Sequence, residues 1–325
     1  MYPWLEPYYQ QIAQSFAQGH GHHALLFKTE QGLGTEKLLA KLTALLLCQQ
    51  PQPSGEPCQH CHSCHLVHAQ NHPDFHLIAP IEGKDIGVDQ IRAINEQAAQ
   101  HAKQNGNKVI YIQGAERLTE AAANAILKTL EEPRPHTYFL LEADISASLL
   151  ATIYSRCQVW NIAVPAQQQA LDWLTEHCEQ KNSEISTALL LNYGRPLLAL
   201  EMLQNGWLEK RREFLRQFWL FYRRRSPLEL LPYFEKELAV QQLDWLLAFL
   251  ADALKQKMHI QRGWTSQDVA QGIVQFSRNL SAQKLLRAQQ IVQKVRSDLI
   301  EINAVNQELM LLDGLTRLIT EVFEG

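Results

Sequence analysis

The sequence predicts an α/β domain with a parallel sheet, followed by two helical domains. In the first half of the chain, short apolar runs rich in β-branched and aromatic residues alternate with segments of helical periodicity. This alternation is typical of a parallel sheet buried between layers of helices. After Pro165 only helical periodicity continues. The predicted boundaries are 1–164 for the α/β domain, 165–206 for a small helical domain and 207–325 for a larger one.

The individual elements follow from the spacing of their apolar residues. We expect strands at 24–27, 75–79, 109–112, 138–141 and 159–164. We expect helices between these strands at 35–48, 88–102, 119–131 and 146–154. Ser146 is the expected N-cap of the last of these, and Pro133 ends the third, because proline cannot continue a helix. Further helices are predicted at 167–179, 185–191, 208–222, 239–257, 281–299 and 303–323.

Composition and charge exclude several classes of protein. The 325 residues are 46% hydrophobic and 20% charged, which is ordinary for a folded domain. The net charge of −4 is unlike that of a nucleic-acid coat or a membrane-surface protein. No apolar run approaches the ~20 residues of a membrane helix, and residues 1–10 lack the basic and apolar regions of a signal peptide. We therefore expect a cytoplasmic protein with no membrane partner.

Four of the six cysteines form a cluster in the sequence. Cys58, Cys61 and Cys64 follow a C-x-x-C-x-x-C spacing, and Cys48 ends the preceding predicted helix. Zinc prefers four soft ligands in a tetrahedron, and C-x-x-C turns place two thiolates on one ion, whereas the spacing resembles neither ferredoxin pattern closely. Since all four ligands would come from the protein, the cluster predicts a structural zinc site. Any of three nearby histidines could replace Cys48: His60, His62 and His65.

A glycine-containing turn follows the first predicted strand, where a phosphate loop would lie. The working motif is G-x-x-x-x-G-K-[ST], in which the lysine reaches the phosphates and the hydroxyl holds magnesium. Here Thr29, Thr35 and Glu36 stand at the positions of the first glycine, the lysine and the hydroxyl. A carboxylate at this point repels phosphate, and no ammonium compensates. Only Gly32 and Gly34 remain to form the turn.

A second part of a nucleotide site is altered in the same way. Strand 109–112 should end in Asp-Glu to hold magnesium and polarise water, but Gln113 and Gly114 follow it. The two changes together predict a site that binds and hydrolyses no ATP. Two alternatives stay open: the chain is an active ATPase with an atypical loop, or the glycines make an ordinary turn in an unrelated fold.

Two motifs carry a resemblance to a known family. Residues 124–133 read Asn-Ala-Ile-Leu-Lys-Thr-Leu-Glu-Glu-Pro, and residues 155–157 read Ser-Arg-Cys. Both resemble motifs of the bacterial clamp-loader subunits, which belong to the AAA+ family. The cysteine cluster and the helical tail resemble the same proteins. The resemblance implies a P-loop NTPase-like AAA+ domain, a small helical lid domain and a C-terminal helical collar domain through which subunits form a ring.

The resemblance also implies which kind of subunit this is. The gamma/tau subunit would keep the lysine and Asp-Glu, and the delta subunit would lack Ser-Arg-Cys. The combination found here implies a subunit that hydrolyses no ATP and works within DNA polymerase III. Its implied partners are the gamma/tau and delta subunits, the sliding clamp through weak or indirect contact, and primed DNA through the assembled ring. A free-standing zinc protein that binds DNA alone is the third hypothesis, and the near-neutral charge disfavours it.

The resemblance assigns Arg156 the role of an arginine finger. In the family this residue faces the ATP of the neighbouring gamma/tau subunit, and Ser155 and Cys157 complete the motif. A guanidinium stays charged and forks over two phosphate oxygens. The alternative is a structural arginine that caps the preceding helix or pairs with Asp144. Cys157 is expected to be a buried small residue, because no histidine base lies near it in the sequence.

Two further nucleotide contacts of the family are altered in this chain. The position of the second sensor arginine falls on Leu197, and that of the sensor threonine falls near Ala143 or Asp144. Both departures agree with a site that has lost its nucleotide chemistry.

Overall fold

The computed structural model describes residues 1–81, 83–260, 262–302 and 306–324. The chain divides into two compact units, Met1–Pro165 and Ala166–Gly325. Apart from Pro165, the second unit includes both segments for which the sequence predicts helical domains.

The first unit is built on a five-stranded parallel sheet with helices. Its strands are β1 (Ala24–Thr29), β2 (Phe75–Ile78), β3 (Lys108–Gln113), β4 (Thr137–Asp144) and β5 (Gln158–Asn161). Their order is β2-β3-β4-β1-β5, and every neighbouring pair is parallel. Each strand overlaps a run predicted from the sequence. The predicted α/β class with a parallel sheet is confirmed.

Within the described part of this unit, six α-helices accompany the sheet: α1 (Glu6–Ala17), α2 (Thr35–Leu47), α3 (His62–His68), α4 (Val88–Ala99), α5 (Glu120–Glu131) and α6 (Ala151–Tyr154). Sequence periodicity does not predict α1 or α3. The helix expected at 146–154 is wrong in its first half, since only α6 is helical. Asp144 is the reason: its carboxylate accepts hydrogen bonds from both the backbone N–H and the hydroxyl of Ser146. This favours a turn after β4 over a helix N-terminus.

The strand order places a crevice at one edge of the sheet. Strand β1 lies between β4 and β5. The connection from β1 runs to β2 on one side of the sheet, whereas the connection from β4 crosses β1 to reach β5 on the other side. In open parallel sheets, ligand sites lie beyond the carboxyl ends of strands at such a switch point. The loops after β1, β3 and β4 meet there.

An apolar core joins one face of the sheet to helices beside it. Leu26, Ile110 and Phe139 of the central strands are fully buried in it, together with Leu130 of α5 and Ile153 of α6. The C-terminal end of α5 is therefore packed beside α6, although they are distant in sequence.

Helices make up the regular structure of the second unit over its described residues. They are α7 (Gln167–His177), α8 (Asn182–Leu191), α9 (Pro196–Gln204), α10 (Trp207–Arg224), α11 (Ala239–Lys257), α12 (Ala270–Arg278), α13 (Ala282–Glu301) and α14 (Gln307–Arg317), followed by a π-helix, Leu318–Phe323. Sequence periodicity does not predict α9 or α12. The first residues of the predicted helix 303–323 lie outside the described residues. None of the described helices has the length and apolar character that would let it cross a membrane.

Aromatic side chains form the centre of the second unit. Phe218 lies between Phe249 and Phe276, with ring centroids 5.8 and 5.5 Å away. Trp173 and Trp245 are buried, and Trp219 is partly buried.

Candidate functional site

The loop between β1 and α2 turns at two glycines with left-handed backbone. Gly32 and Gly34 have φ angles of 88° and 76°, a left-handed conformation that glycine adopts readily and other residues rarely do. Gly34 is the residue that precedes the first turn of α2. The Trp4 indole N–H donates to the Leu33 carbonyl oxygen at 2.8 Å, which anchors the loop to the N-terminal segment.

The two threonines of this loop bond to each other. The Oγ1 atoms of Thr29 and Thr35 are 2.5 Å apart, and both residues are buried. The hydroxyl at the position of the motif's lysine is therefore engaged inside the loop. It brings no charge to the space above α2.

A cleft of about 660 Å³ opens over the loop and is strongly acidic. Gln113 and Gly114, at the end of β3, line it where an acidic magnesium-binding pair is expected. No lysine or arginine is among the described residues that line it. Triphosphate carries the same sign of charge and would be repelled. Five carboxylates line the cleft: Glu30, Glu36, Glu116, Glu142 and Asp144.

The negative charge in this cleft affects the ionisation of Glu142. Burial raises the pKa of the Glu142 carboxyl, and the charges of Glu36 and Glu116 raise it further. The Tyr111 hydroxyl donates a hydrogen bond to this carboxylate, and burial and the same carboxylate raise the pKa of Tyr111. A buried carboxyl that already resists ionisation is poorly suited to receive another anion.

The four cysteines predicted to bind zinc come together. The Sγ atoms of Cys48, Cys58, Cys61 and Cys64 all lie within 4.8 Å of one another, and those of Cys58 and Cys64 are 3.9 Å apart. In a tetrahedral zinc–thiolate site the sulfur atoms are separated by about 3.8 Å, given Zn–S bonds of about 2.3 Å. The four thiols therefore fit a zinc ion. The three candidate histidines are exposed and lie outside this group: His60, His62 and His65.

Backbone N–H groups prepare these sulfur atoms for negative charge. Cys48 Sγ accepts from the N–H of Cys58 at 3.3 Å, and Cys58 Sγ accepts from the N–H of Cys61 at 3.3 Å. Burial raises the pKa of the Cys48 and Cys64 thiols. Burial also acts to raise the pKa of Cys61, but hydrogen bonds, led by those from the backbone of Gln49 and Cys64, outweigh it and lower this pKa to about 6. A dication would let the buried thiols ionise together.

Arg156 lies just beyond α6 and is held by several groups of its own chain. Its Nε donates to Glu131 Oε2 at 3.0 Å, and its Nη2 donates to the same oxygen. Its Nη1 donates to the Thr152 carbonyl oxygen at 3.1 Å and to Ser155 Oγ at 3.3 Å. The side chain is 25% exposed. Of the structural alternative, the cap on the preceding helix is present, since Nη1 bonds to a carbonyl oxygen of α6, but the pairing with Asp144 is wrong, because the acidic partner is Glu131.

The other two residues of the Ser-Arg-Cys motif have structural contacts. Ser155 Oγ donates to the Thr152 carbonyl oxygen at 3.1 Å, which closes the last turn of α6. Cys157 packs against the core, and burial raises the pKa of its thiol to about 12. A thiol with this pKa is a poor nucleophile at neutral pH.

Comparison with known proteins shows the family over nearly the whole chain. Residues 4–166 match the family described as DNA polymerase III, delta subunit, and residues 205–320 match its C-terminal family. Residues 165–204 match the AAA+ ATPase lid domain of DNA polymerase III subunit delta'. The chain is 64% identical over 324 residues to DNA polymerase III subunit delta' of Haemophilus influenzae, covering 100% of this chain and 98% of that protein. The chain belongs to the DNA polymerase III subunit delta' family.

Other delta' relatives are similar over almost the same length. The Escherichia coli protein is 38% identical over 321 residues, covering 98% of this chain and 95% of that relative. The Yersinia pestis protein is 37% identical over 320 residues, covering 97% and 94%. These matches confirm the predicted resemblance to bacterial clamp-loader subunits and the predicted AAA+ fold with a lid and a helical C-terminal region.

The structure brings together functional candidates that the sequence alone does not indicate. Arg156 lines a second cleft, of about 340 Å³, together with His22, His23 and Glu131. His23 Nε2 lies 2.7 Å from the Leu130 carbonyl oxygen, which ties the end of α5 to the start of β1. The paired histidines before β1 are the only sequence signal for this cleft, and nothing in their spacing points to Arg156.

Proposed function

We propose that this chain is a clamp-loader subunit that hydrolyses no ATP itself and supplies Arg156 in trans to the ATP site of a neighbouring gamma/tau subunit. Membership of the delta' family supports the clamp-loader role. One observation carries the rest: the phosphate-loop cleft has acidic residues and no cation among the described residues that line it, while Arg156 stands partly exposed elsewhere on the same fold.

The missing ATPase chemistry follows from charge. A phosphate loop needs a lysine beside the phosphates and a hydroxyl on magnesium, and Thr35 and Glu36 supply neither. Gln113 and Gly114 cannot replace the acidic pair that holds the metal. The alternative of an active ATPase with an atypical loop would require another cation in the cleft, and none lines it among the described residues.

Arg156 has the chemistry to act on a neighbour's nucleotide. A guanidinium neutralises the charge that develops on phosphate oxygens during hydrolysis, and a finger supplied in trans raises the rate by about 10³–10⁵-fold. The chain would then be required for ATP hydrolysis in the neighbouring subunit, although the nucleotide pocket there belongs entirely to that subunit.

The proposed partners follow from family membership. The chain would join gamma/tau and delta subunits in a ring through residues 207–325, with residues 165–206 as the lid. It would act in the cytoplasm during replication and meet primed DNA and the sliding clamp through the assembled ring. The overall charge of −4 favours this indirect contact over strong DNA binding by the isolated chain.

We also propose a structural zinc ion held by Cys48, Cys58, Cys61 and Cys64. Four thiolates complete its coordination, so no position remains for a reacting water molecule. When bound, the ion would crosslink the end of α2 to the insertion that follows it and would supply folding energy locally.

The test of the finger uses the reconstituted clamp-loader complex. Arg156→Ala should leave assembly intact and lower the DNA-stimulated ATPase, with a loss of about 10³-fold or more at the one site that Arg156 serves. Arg156→Lys should not restore it, because an ammonium cannot fork over two oxygens. Arg134→Ala is the matched control, since this exposed arginine donates to the Ala99 carbonyl oxygen. An unchanged ATPase in Arg156→Ala would reduce this residue to a structural one.

A further inference from the structure

The guanidinium of Arg156 is almost fully occupied within its own chain. Of its five N–H groups, two point to Glu131 Oε2, one to the Thr152 carbonyl oxygen and one to Ser155 Oγ. Glu131 takes the edge formed by Nε and Nη2. That leaves one N–H on Nη2, which is too few for a two-oxygen fork over a phosphate.

Packing, and not sequence proximity, brings Glu131 to this edge. Leu130, the residue before it, and Ile153 of α6 are buried in the same core cluster. Glu131 is the last residue of α5, where the helix dipole is negative and also attracts a guanidinium. The end of α5 therefore has a fixed place beside Arg156, while the Glu131 side chain is 57% exposed and free to swing away.

We infer that Glu131 is a positioning residue. It binds the Arg156 guanidinium when no phosphate is present, here called the parked state, and it competes with the neighbour's phosphate for this guanidinium. The inference rests on the proposed trans role of Arg156. In the parked state the carboxylate cancels the charge of the guanidinium. A phosphate in the adjoining subunit takes over the Nε–Nη2 edge, and Glu131 turns to solvent. Thr152 and Ser155 keep their hold on Nη1 throughout, so the finger exchanges one anion for another without losing its direction.

The size of this competition follows from the exposure of the pair. An ion pair of which one partner is more than half exposed changes an equilibrium by about two- to fivefold. The parked fraction lowers the apparent ATP affinity of the served site by this factor, because binding must first displace Glu131. The maximal rate is unaffected, since the exchange is complete once ATP is bound.

The experiment compares Glu131→Gln with the wild-type chain in the reconstituted complex. Glutamine keeps the shape and an acceptor oxygen but has no charge. We expect the KM for ATP in the DNA-stimulated reaction to fall about two- to fivefold at unchanged kcat. The difference should shrink as salt is raised, because salt weakens the ion pair only in the wild type. Glu132→Gln is the matched control, since Glu132 is adjacent and is not among the partners of Arg156.

A second arm repeats both measurements in an Arg156→Ala background, with melting temperatures as a check on folding. If Glu131 acts through Arg156, Glu131→Gln leaves the KM for ATP unchanged in the Arg156→Ala background. An unchanged KM, a lower kcat or an equal effect of Glu132→Gln overturns the inference, while a reduced rate in Arg156→Ala alone keeps the proposed finger. If Arg156→Ala leaves the rate unchanged, the proposed function fails, and the inference fails with it.

Discussion

The buried arginine of α10 makes a sharp test of the energetics of the second unit. Arg211 is 0% exposed, and its Nη1 donates to both carboxylate oxygens of Asp268, at 3.0 and 2.8 Å. Its Nε and Nη2 have no hydrogen-bond partner within the described part of the chain. Burial lowers the pKa of Arg211, although the negative charges of Asp268 and Asp252 act to raise it. The pair thus holds a buried charge that is only partly compensated.

Two substitutions should have very different effects on stability. Asp268→Asn keeps a hydrogen-bond acceptor but leaves the guanidinium without its main counter-charge, which destabilises by about 3–5 kcal/mol. Because Asp252 still attracts the guanidinium, we expect the lower end, about 3 kcal/mol, or about 6–12 °C in Tm. Adding Arg211→Met to Asp268→Asn removes the remaining charge and both unpartnered groups. The double variant should return to within about 1 kcal/mol of the wild type, whereas Arg211→Met alone would leave the Asp268 carboxylate without its partner.

Thermal unfolding followed by tryptophan fluorescence measures both variants in the full chain. Five of the seven tryptophans lie in the second unit, so the signal reports mainly on it. Glu213→Gln is the matched control on the same helix, because the Glu213–Arg216 pair is largely exposed, and it should leave Tm nearly unchanged. Equal destabilisation by Asp268→Asn and by the double variant Arg211→Met/Asp268→Asn would refute this account of the buried charge.

Three further predictions concern the first unit. The native chain should contain about one zinc ion, measured by elemental mass spectrometry, and Cys64→Ser should lower this content; a metal-free, fully folded native chain would contradict the site. The isolated chain should show no heat of ATP binding by calorimetry, and Thr35→Lys should not create ATPase activity, because Gln113 and Gly114 still provide no magnesium site. Burial raises the pKa of Glu142 above its unfolded value, so the folded state holds the proton more tightly, and stability falls as pH rises through the folded pKa. Glu142→Gln should therefore raise Tm at about pH 8 and leave it unchanged at about pH 4. A Tm gain of the same size at both pH values would show that ionisation of Glu142 does not cause the stabilisation.

The sheet could be predicted from the sequence because burial leaves a local pattern. The central strands β1, β3 and β4 are covered on both faces, and such strands are continuous apolar runs in the sequence. The edge strands β2 and β5 are partly exposed, but their shorter apolar runs were still found. Helix α1 escaped prediction because Pro7 and the aromatic residues around it do not resemble a helix. Proline is tolerated in a first turn, where the N–H has no partner within the helix. The error at 146–150 arose from a side-chain hydrogen bond. The Asp144 carboxylate accepts from the Ser146 N–H, and the spacing of apolar residues does not predict this contact.

The features of the sites were likewise predictable where they are local in sequence and not where they depend on packing. The types of residue at the phosphate loop, the cysteine spacing and the Ser-Arg-Cys motif are local features, and each was found from the sequence. The partner of Arg156 was not, because Glu131 lies 25 positions away and is brought to it by packing between α5 and α6. Glu142 escaped notice for a similar reason, since it lies within a strand and only the loops around it make the cleft acidic.

The sequence by itself determined which chemical groups this protein has: four thiols at zinc spacing, a loop without its lysine, and an arginine inside a family motif. The tertiary structure alone decided what each group meets, including the carboxylate that occupies Arg156 and the acidic residues gathered over the loop. The physical reason is the distance along the sequence over which each property is determined. Residue type and short periodicity are properties of neighbours along the chain, whereas charge and burial depend on segments that meet only after the core has formed.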